Sequence, residues 1–470
     1  MASEKTSLKT SAQAMAEFAF ALRYDDIPAE VITAARRHLA DSLACAFGAR
    51  ETATVQALQK YAIAQGGSAD ATVIGTAKKV PASMAALVNG TMVRQLDAND
   101  IFVLRRGGTS GHFSDAAAAL LALAEQYRRS GEELVTCLVA SYELQGLLAD
   151  SINFWDRGLH PVTNVAWVTP IVAARLIGAD PVAAVHACGL AVATGTVMNT
   201  WIMPAARIPS IKGVAVGLAL KRAIEAAELS AIGITATDDA LETALARSAT
   251  RPDTFFDPAP IENLGQHWSM KRNMLKRYPA QVNTQAAIEA VMRLYQSGIR
   301  AEHVRKLFLH GHRNVAGGVQ GSAQAFAPAN RESADHSTPY VMAMALLRGK
   351  LTLDEYAGAP WESPETKAVM AKIELAIDSE MDEAFKTRGM LGVRLITELN
   401  SGQTEEIVVG QPKGHPEAPL SDAELLEKMS WLMKPKASSV TPQQLFELCN
   451  LLSSSEDVQQ LIASSRIDHP

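Results

Sequence analysis

The first half of the chain is built largely from alanine-rich segments with helical periodicity, and this pattern constrains the fold most strongly. These segments are apolar on most faces, which favours helices buried in a multi-helix bundle over helices that lie on a surface. The predicted helices span residues 11–22, 29–47, 80–93, 116–129, 132–152, 165–176, 181–196, 213–228 and 238–246. Ser11 and either Ser114 or Asp115 are candidate caps, while Pro28 and Pro81 suit first helical turns.

The pattern changes near residues 265–275. Residues 304–310 and 372–377 are predicted strands, and 393–399 with 405–409 form a predicted β-hairpin around a glycine-containing turn. Residues 281–296, 420–433 and 443–462 are predicted helices. The sequence therefore predicts a mainly α protein, in which a smaller α+β lid domain interrupts a large all-helical domain. The expected boundaries are 1–269 for the helical domain, 270–412 for the lid and 413–470 for C-terminal helices that rejoin the helical domain.

Composition excludes several classes of protein. With 48% hydrophobic and 20% charged residues among 470, the chain can bury a substantial core. A net charge of −6 argues against nucleic-acid binding. The longest apolar run, 116–124, is too short to span a membrane, and residues 1–13 lack the apolar core of a secretory signal. We therefore expect a cytoplasmic protein with no membrane or nucleic-acid partner.

The four cysteines are scattered, so a disulfide scaffold or a zinc–cysteine site is not expected. His310 and His312 lie close together, but no further ligand stands at a persuasive spacing. No phosphate-binding or dinucleotide-binding glycine motif is present in the sequence. We therefore predict neither a metal nor a cofactor.

Polar residues beside apolar helices are the candidates for chemistry. Asp97 and Asp100 are placed to orient a nearby imidazole, and His112 stands just before a helix start. His160 stands at another loop-to-helix boundary, and Lys212 is a cation among apolar residues. Purely structural roles for these side chains stay open. Carboxylates often cap helices, single histidines are usually structural, and lysines can reach water along apolar surfaces.

Six segments together resemble the MmgE/PrpD family, which includes 2-methylcitrate dehydratase, cis-aconitate decarboxylase and an iminodisuccinate epimerase. They occur in the family's order over nearly the whole chain, at 39–48 (LADSLACAFG), 95–100 (QLDAND), 111–115 (GHFSD), 210–213 (SIKG), 276–280 (KRYPA) and 335–340 (DHSTPY). The resemblance implies a helical domain with an α+β lid, usually in a homodimer, and a metal-free active site between the two domains.

The same resemblance implies site residues that bind a small di- or tricarboxylate. The catalytic candidates are Asp97, His112, His160, Lys212 and Tyr340, and the substrate-binding candidates are Lys276, Asn99, Gln281 and Arg105. The chain departs from the family at Ile101, where many members have threonine. It departs again in the loop that carries Arg105 and Arg106, and at Gln281 and Asn283, where relatives often have an acidic residue or a histidine.

These residues suit removal of a proton from a carbon next to a carboxylate. His112 or His160 is the expected base, the lysines would stabilise the enolate, and the tyrosine would donate to a leaving hydroxyl. Dehydration is the first choice, for example of 2-methylcitrate, while decarboxylation and epimerisation stay open in the same pocket. Two further alternatives are a non-catalytic carboxylate-binding protein and a purely structural oligomer.

Overall fold

Helices dominate the computed structural model, which describes residues 9–103, 110–200, 207–248, 259–433 and 440–464. The first ten helices are α1 (Ser11–Ala21), α2 (Ala29–Ala49), α3 (Ala53–Gln65), α4 (Ala82–Arg94), α5 (Ala117–Gln126), α6 (Gly131–Ser151), α7 (Val162–Ile177), α8 (Pro181–Gly195), α9 (Ile211–Ala231) and α10 (Ala240–Ser248). The others are α11 (Gln285–Gln296), α12 (Arg313–Ala316), α13 (Arg331–Ala334), α14 (Thr338–Arg348), α15 (Pro364–Met370), α16 (Ser379–Arg388), α17 (Asp422–Met433), α18 (Pro442–Asn450) and α19 (Gln459–Ser464).

The largest sheet has four strands in the order β6-β5-β7-β8. These strands are β5 (Val304–Gly311), β6 (Ile373–Ile377), β7 (Val393–Leu399) and β8 (Thr404–Val409). The β5–β6 pair is parallel, whereas β7 pairs antiparallel with both β5 and β8. Two short antiparallel pairs complete the strands, β1 (Ala71–Thr72) with β2 (Lys79–Val80) and β3 (Ile101–Phe102) with β4 (Asn273–Met274).

Two main hydrophobic cores organise these elements. The larger core draws on residues between 12 and 275 and again between 420 and 462, since α17 and α18 pack on α2. We call α1–α10 with α17–α19 the helical body. The second core lies within residues 280–409, and we call α11–α16 with β5–β8 the α+β unit. The mainly helical class is thereby confirmed, while the assignment of the α+β unit as an inserted lid stays a prediction.

Several local predictions need correction. Thr10, not Ser11, caps α1 by accepting a hydrogen bond from the Gln13 amide. Ser114 and Asp115 lie inside a 3-10 turn, Phe113–Ala116, that precedes α5, so neither is its cap. Helix α3 was not predicted, because its apolar face is small and only two of its residues are buried. The predicted helix 443–462 is broken into α18, a short turn and α19.

The predicted strands and most predicted helices are confirmed to within a few residues, including the hairpin of β7 and β8. All four cysteines are buried and unpaired, as their scattered positions indicate. Within the described ranges, no helix combines the length and hydrophobicity needed to cross a bilayer.

A buried ion pair fixes the C-terminal helices to the part of the helical body that precedes β3. Lys428 on α17 pairs with Asp41 on α2 at 2.6 Å, and each side chain is 1% exposed. The Lys428 ammonium also donates to the Ala98 carbonyl at 2.7 Å. Burial, opposed by the nearby Lys428 charge, raises the pKa of Asp41. The turn that contains Asp97 and Asn99 is thus held by a contact from the far end of the chain.

We expect Lys428→Met to lower the free energy of unfolding by about 3 kcal/mol, because it leaves the Asp41 carboxylate buried without its counter-ion. The double variant Asp41→Asn/Lys428→Met should recover more than half of that loss. Urea unfolding followed by circular dichroism measures both. Lys60→Met, at an exposed lysine of α3, is the matched control and should change stability by less than about 0.5 kcal/mol. Equal losses in single and double variants would contradict this account.

Candidate active site

A cluster of buried charges joins the helical body to the α+β unit. The Lys212 ammonium lies 2.9 Å from both carboxylate oxygens of Asp335 and 3.0 Å from Oδ2 of Asp97. The Lys276 ammonium contacts Oδ1 and the backbone carbonyl of Asp97. Every one of these side chains is at most 4% exposed. Asp97 therefore accepts from two lysines that come from different parts of the sequence.

Local backbone geometry brings these side chains together. Asp97 follows α4 with a φ of 52°, a left-handed conformation that aspartate tolerates better than most residues. Lys212 is in the first turn of α9, and its neighbour Gly213 packs against the Gln95 turn, where an added Cβ would lie 2.4 Å from the Gln95 side-chain oxygen. Pairing of β3 with β4 places Lys276 beside the same turn. The glycine in the segment 210–213 thus permits the close approach of α9.

The cluster carries an excess of positive charge. Burial disfavours the charged form of Asp97, but Lys212 and Lys276 outweigh this effect and hold its pKa well below the ordinary value. Arg331 adds a third cation, 3.3 Å from Asp335. Three cations therefore face two carboxylates, which leaves a formal charge of +1 (3 − 2) in a buried setting. Such a charge favours an anionic ligand.

His112 is held in its neutral form beside this cluster. Burial and the charges of Arg94 and Lys276 hold its pKa well below the ordinary value, with Asp97 opposing them. Nδ1 of the ring is buried and has no hydrogen-bond partner among the described residues. A neutral imidazole carries its proton on one nitrogen and a lone pair on the other, so a nitrogen without a partner can accept a proton. His112 is therefore the better base of the two predicted histidines.

His160 is also neutral, but its hydrogen bonding differs. It is 3% exposed, and burial together with the Arg94 charge holds its pKa well below the ordinary value. Its Nδ1 accepts a hydrogen bond from the Val162 amide at 3.2 Å. The proton of the neutral ring is then on Nε2, which makes His160 a hydrogen-bond donor. Trp155 packs edge-on against its ring, with centroids 5.4 Å apart.

Arg94 is a functional candidate that sequence reasoning missed. At the end of α4 it is 7% exposed and pairs with Asp115 at 2.9 Å. Its charge lowers the pKa of both histidines. Burial, opposed by Arg94, raises the pKa of Asp115 to about 7. The signal was available, because Arg94 ends a largely apolar helix just as Lys212 begins one.

Three predicted residues do not contribute side chains to the cluster as expected. Tyr340 points into the core of the α+β unit and donates to the Glu355 carbonyl, so its hydroxyl is not placed to assist a leaving group. The Gln281 side chain accepts from the Asn283 amide and caps a 3-10 turn. Asn99 is buried and donates to Ser114 and Asp115, at 3.1 and 3.0 Å, and Asp115 is also the partner of Arg94. Arg105 lies outside the described residues.

Tyr356, rather than Tyr340, has a hydroxyl that is available to donate to a leaving group. It is 4% exposed, and its hydroxyl has no hydrogen-bond partner among the described residues. The Arg331 guanidinium lies over its ring, 4.8 Å from the centroid. Burial and the negative charge of Asp335 raise its pKa well above the ordinary value, so the hydroxyl keeps its proton. No sequence pattern distinguished Tyr356 from the other tyrosines.

Comparison with known proteins decides the family. The model of the MmgE/PrpD N-terminal domain matches residues 13–248, and that of the C-terminal domain matches residues 278–451. The chain belongs to the MmgE/PrpD family. The resemblance carried by the six segments is thereby confirmed.

The MmgE/PrpD relatives include enzymes of two kinds. A 2-methylcitrate dehydratase of Escherichia coli is 25% identical over 371 residues, covering 73% of each chain. A probable 2-methylcitrate dehydratase of Saccharomyces cerevisiae is 24% identical over 368 residues, covering 73% of this chain and 70% of its own. Human cis-aconitate decarboxylase is 24% identical over 474 residues, covering 97% of this chain and 94% of its own.

Carboxylate and imidazole groups at this MmgE/PrpD site also raise the question of a metal. Ligand atoms of Asp97, Asp335 and His336 lie within 4.8 Å of one another. However, the Lys212 ammonium already contacts both carboxylates, and Lys276 contacts Asp97 again. A divalent cation there would face two ammonium groups at close range, so these residues do not fit a metal site.

We expect Arg94→Gln to raise the pKa of His112 and of His160, because it removes a cation that disfavours their protonated forms. The conservative variant Arg94→Lys keeps the charge and should keep both pKa values low. Titration of the histidine ring carbons by NMR measures the change, with His112→Asn and His160→Asn used to assign the signals. Titration curves that are the same in Arg94→Gln and the parent protein would show that Arg94 does not control these histidines.

Proposed function

We propose that this chain is a lyase that removes water from a small di- or tricarboxylate, such as 2-methylcitrate. The observation that carries the proposal is the neutral base His112 beside the buried cations Lys212 and Lys276. The names of the dehydratase relatives support the same class of reaction.

The first chemical step is removal of a proton from the carbon next to a substrate carboxylate. Nδ1 of His112 has the free lone pair and accepts that proton. The negative charge that develops on the carboxylate is stabilised by the ammonium groups of Lys212 and Lys276. Asp97 holds both lysines in place and is the positioning residue of the site.

The second step expels the hydroxyl group. The C–O bond breaks as the C=C bond forms, and the imidazolium of His112 returns its proton to the departing hydroxide, which leaves as water. The Nε2–H group of His160 and the hydroxyl of Tyr356 are the hydrogen-bond donors for the substrate's polar groups. All groups then return to their starting protonation states, so no cofactor is required.

Decarboxylation is the second candidate. The human cis-aconitate decarboxylase matches 97% of this chain, whereas the dehydratases match 73%. Loss of CO₂ would use the same cations to stabilise a carbanion, with a protonated histidine as the donor to carbon. A homodimer and a cytoplasmic location, which the family resemblance and the composition led us to expect, stay predictions.

The test is incubation of chelator-treated protein in D₂O with citrate, 2-methylcitrate and cis-aconitate, followed by NMR. We expect loss of water from a hydroxy acid and solvent deuterium at the carbon next to the carboxylate in the reverse direction. Loss of CO₂ instead would support the second candidate. Saturable binding with no deuterium in any ligand would contradict both and indicate a non-catalytic carboxylate-binding protein.

Single variants separate the roles of the histidines. His112→Asn should lower kcat by about 10²- to 10⁴-fold and abolish deuterium exchange, because the base is lost. His160→Asn should slow water loss more than it slows exchange, because it removes a donor and keeps the base. His303→Ala, at an exposed histidine of the α+β unit, is the matched control and should leave both rates unchanged. Full activity of His112→Asn would remove His112 from the mechanism.

A further inference from the structure

A cavity is lined by residues that neighbour the two predicted histidines, His112 along the chain and His160 through a ring contact. Its volume is about 250 Å³, which is below the 300–1,000 Å³ range typical of sites for whole drug-sized ligands. A cavity of this size suits one substituent of a ligand whose reacting part lies elsewhere. The cavity lies where the helical body meets α16 and the residues that follow it.

Chain connections place this cavity next to the proposed base and donor. Ser110, in its wall, is two residues before His112. The wall residue Phe102 donates its amide to the Gly111 carbonyl at 2.8 Å. Trp155 lines the cavity and packs against the ring of His160. The cavity would therefore lie next to a ligand that is bound between the two histidines.

The wall is mainly apolar. Side chains of Ile101, Val103 and Trp155 from the helical body face Phe385 and Leu391 from the α+β unit. Ile101 and Leu391 also pack together with Met274 in a small hydrophobic cluster of their own. A surface of this kind gains free energy when it excludes water against an aliphatic group.

Charge in the wall does not favour a further carboxylate. Among the described wall residues the one cation is Lys386, which pairs with Asp382 at 2.9 Å. Asp382 is held in addition by Arg313, at 2.8 Å. An anionic arm placed in the cavity would thus lose water without gaining a free cation. Uncharged amide groups, such as that of Asn283, supply the remaining polar lining.

We propose that this cavity is a substituent subsite that selects carboxylic acids carrying an aliphatic side group, up to a few carbons long, next to the reacting carbons. The proposal rests on the proposed lyase function and adds the substrate class to it. Lys212 and Lys276 hold the carboxylate end, while the wall formed by Ile101, Phe385 and Leu391 receives the aliphatic end.

The test is a homologous series consisting of citrate, 2-methylcitrate and its 2-ethyl, 2-propyl and 2-butyl analogues. Each added methylene buried in the cavity should raise kcat/KM by roughly fourfold until the cavity is filled. A series that is flat, or that falls from citrate onwards, would overturn the subsite. Turnover of none of the acids would overturn the lyase function itself, so the two failures are distinguishable.

A filling variant gives an independent readout. Val103→Trp should reduce the ratio of kcat/KM for the 2-propyl acid to that for citrate by at least tenfold, because the indole occupies the space of the side group. Val408→Trp, on exposed β8, is the matched control and should keep the parent ratio. A ratio that is unchanged in Val103→Trp would overturn the subsite, and if that variant does not fold, the homologous series on the parent protein still decides the proposal.

Discussion

Compensation of buried charge is the constraint on which the arrangement depends. Lys212, Lys276, Asp97 and Asp335 are each at most 4% exposed, and an isolated ion at any of these positions would be strongly unfavourable. Lys212 and Asp97 belong to the helical body, while Asp335 follows α13 in the α+β unit. Joining these ions therefore also joins the two units at the candidate active site.

The buried cations serve two purposes in this account, and Lys276 takes part in both. Arg94 and Lys276 disfavour imidazolium, so His112 stays neutral and able to accept a proton. Lys212 and Lys276 favour a carboxylate whose negative charge grows as that proton leaves. A base that is neutral and an anion that is stabilised are both needed for proton abstraction next to a carboxylate. One set of buried positive charges meets both requirements without a metal in the reaction scheme.

Much of the site was predictable, because each segment carried its own signal. Lys212 stood out as a cation among apolar residues, and Asp97, His112 and His160 stood out as polar groups at helix boundaries. The structure brings Asp97, Lys212 and Lys276 into direct contact. The charge of Lys276 acts on His112, and the charge of Arg94 acts on both histidines. The partner of Lys212 was not predictable, since Asp335 reads equally well as part of a capping turn. The choice between Tyr340 and Tyr356 also depends on how α14 and the turn after it rotate against the sheet, which no local pattern encodes.

The fold likewise contains elements that the sequence predicts and elements that it does not. Long apolar helices and the β7–β8 hairpin follow from periodicity, but α3 and the break between α18 and α19 do not, because few of their residues are buried. Tertiary contacts made by neighbouring elements determine such segments. The ion pair between Lys428 and Asp41 is a further example, because it links residues that are almost four hundred positions apart.

A crystal structure with tricarballylate, a tricarboxylate that has no hydroxyl group to lose, tests the central claim most directly. The account predicts a ligand carboxylate within hydrogen-bond distance of the Lys212 or Lys276 ammonium, and the adjacent carbon facing Nδ1 of His112. A ligand bound elsewhere, with both lysines still contacting only Asp97 and Asp335, would contradict it.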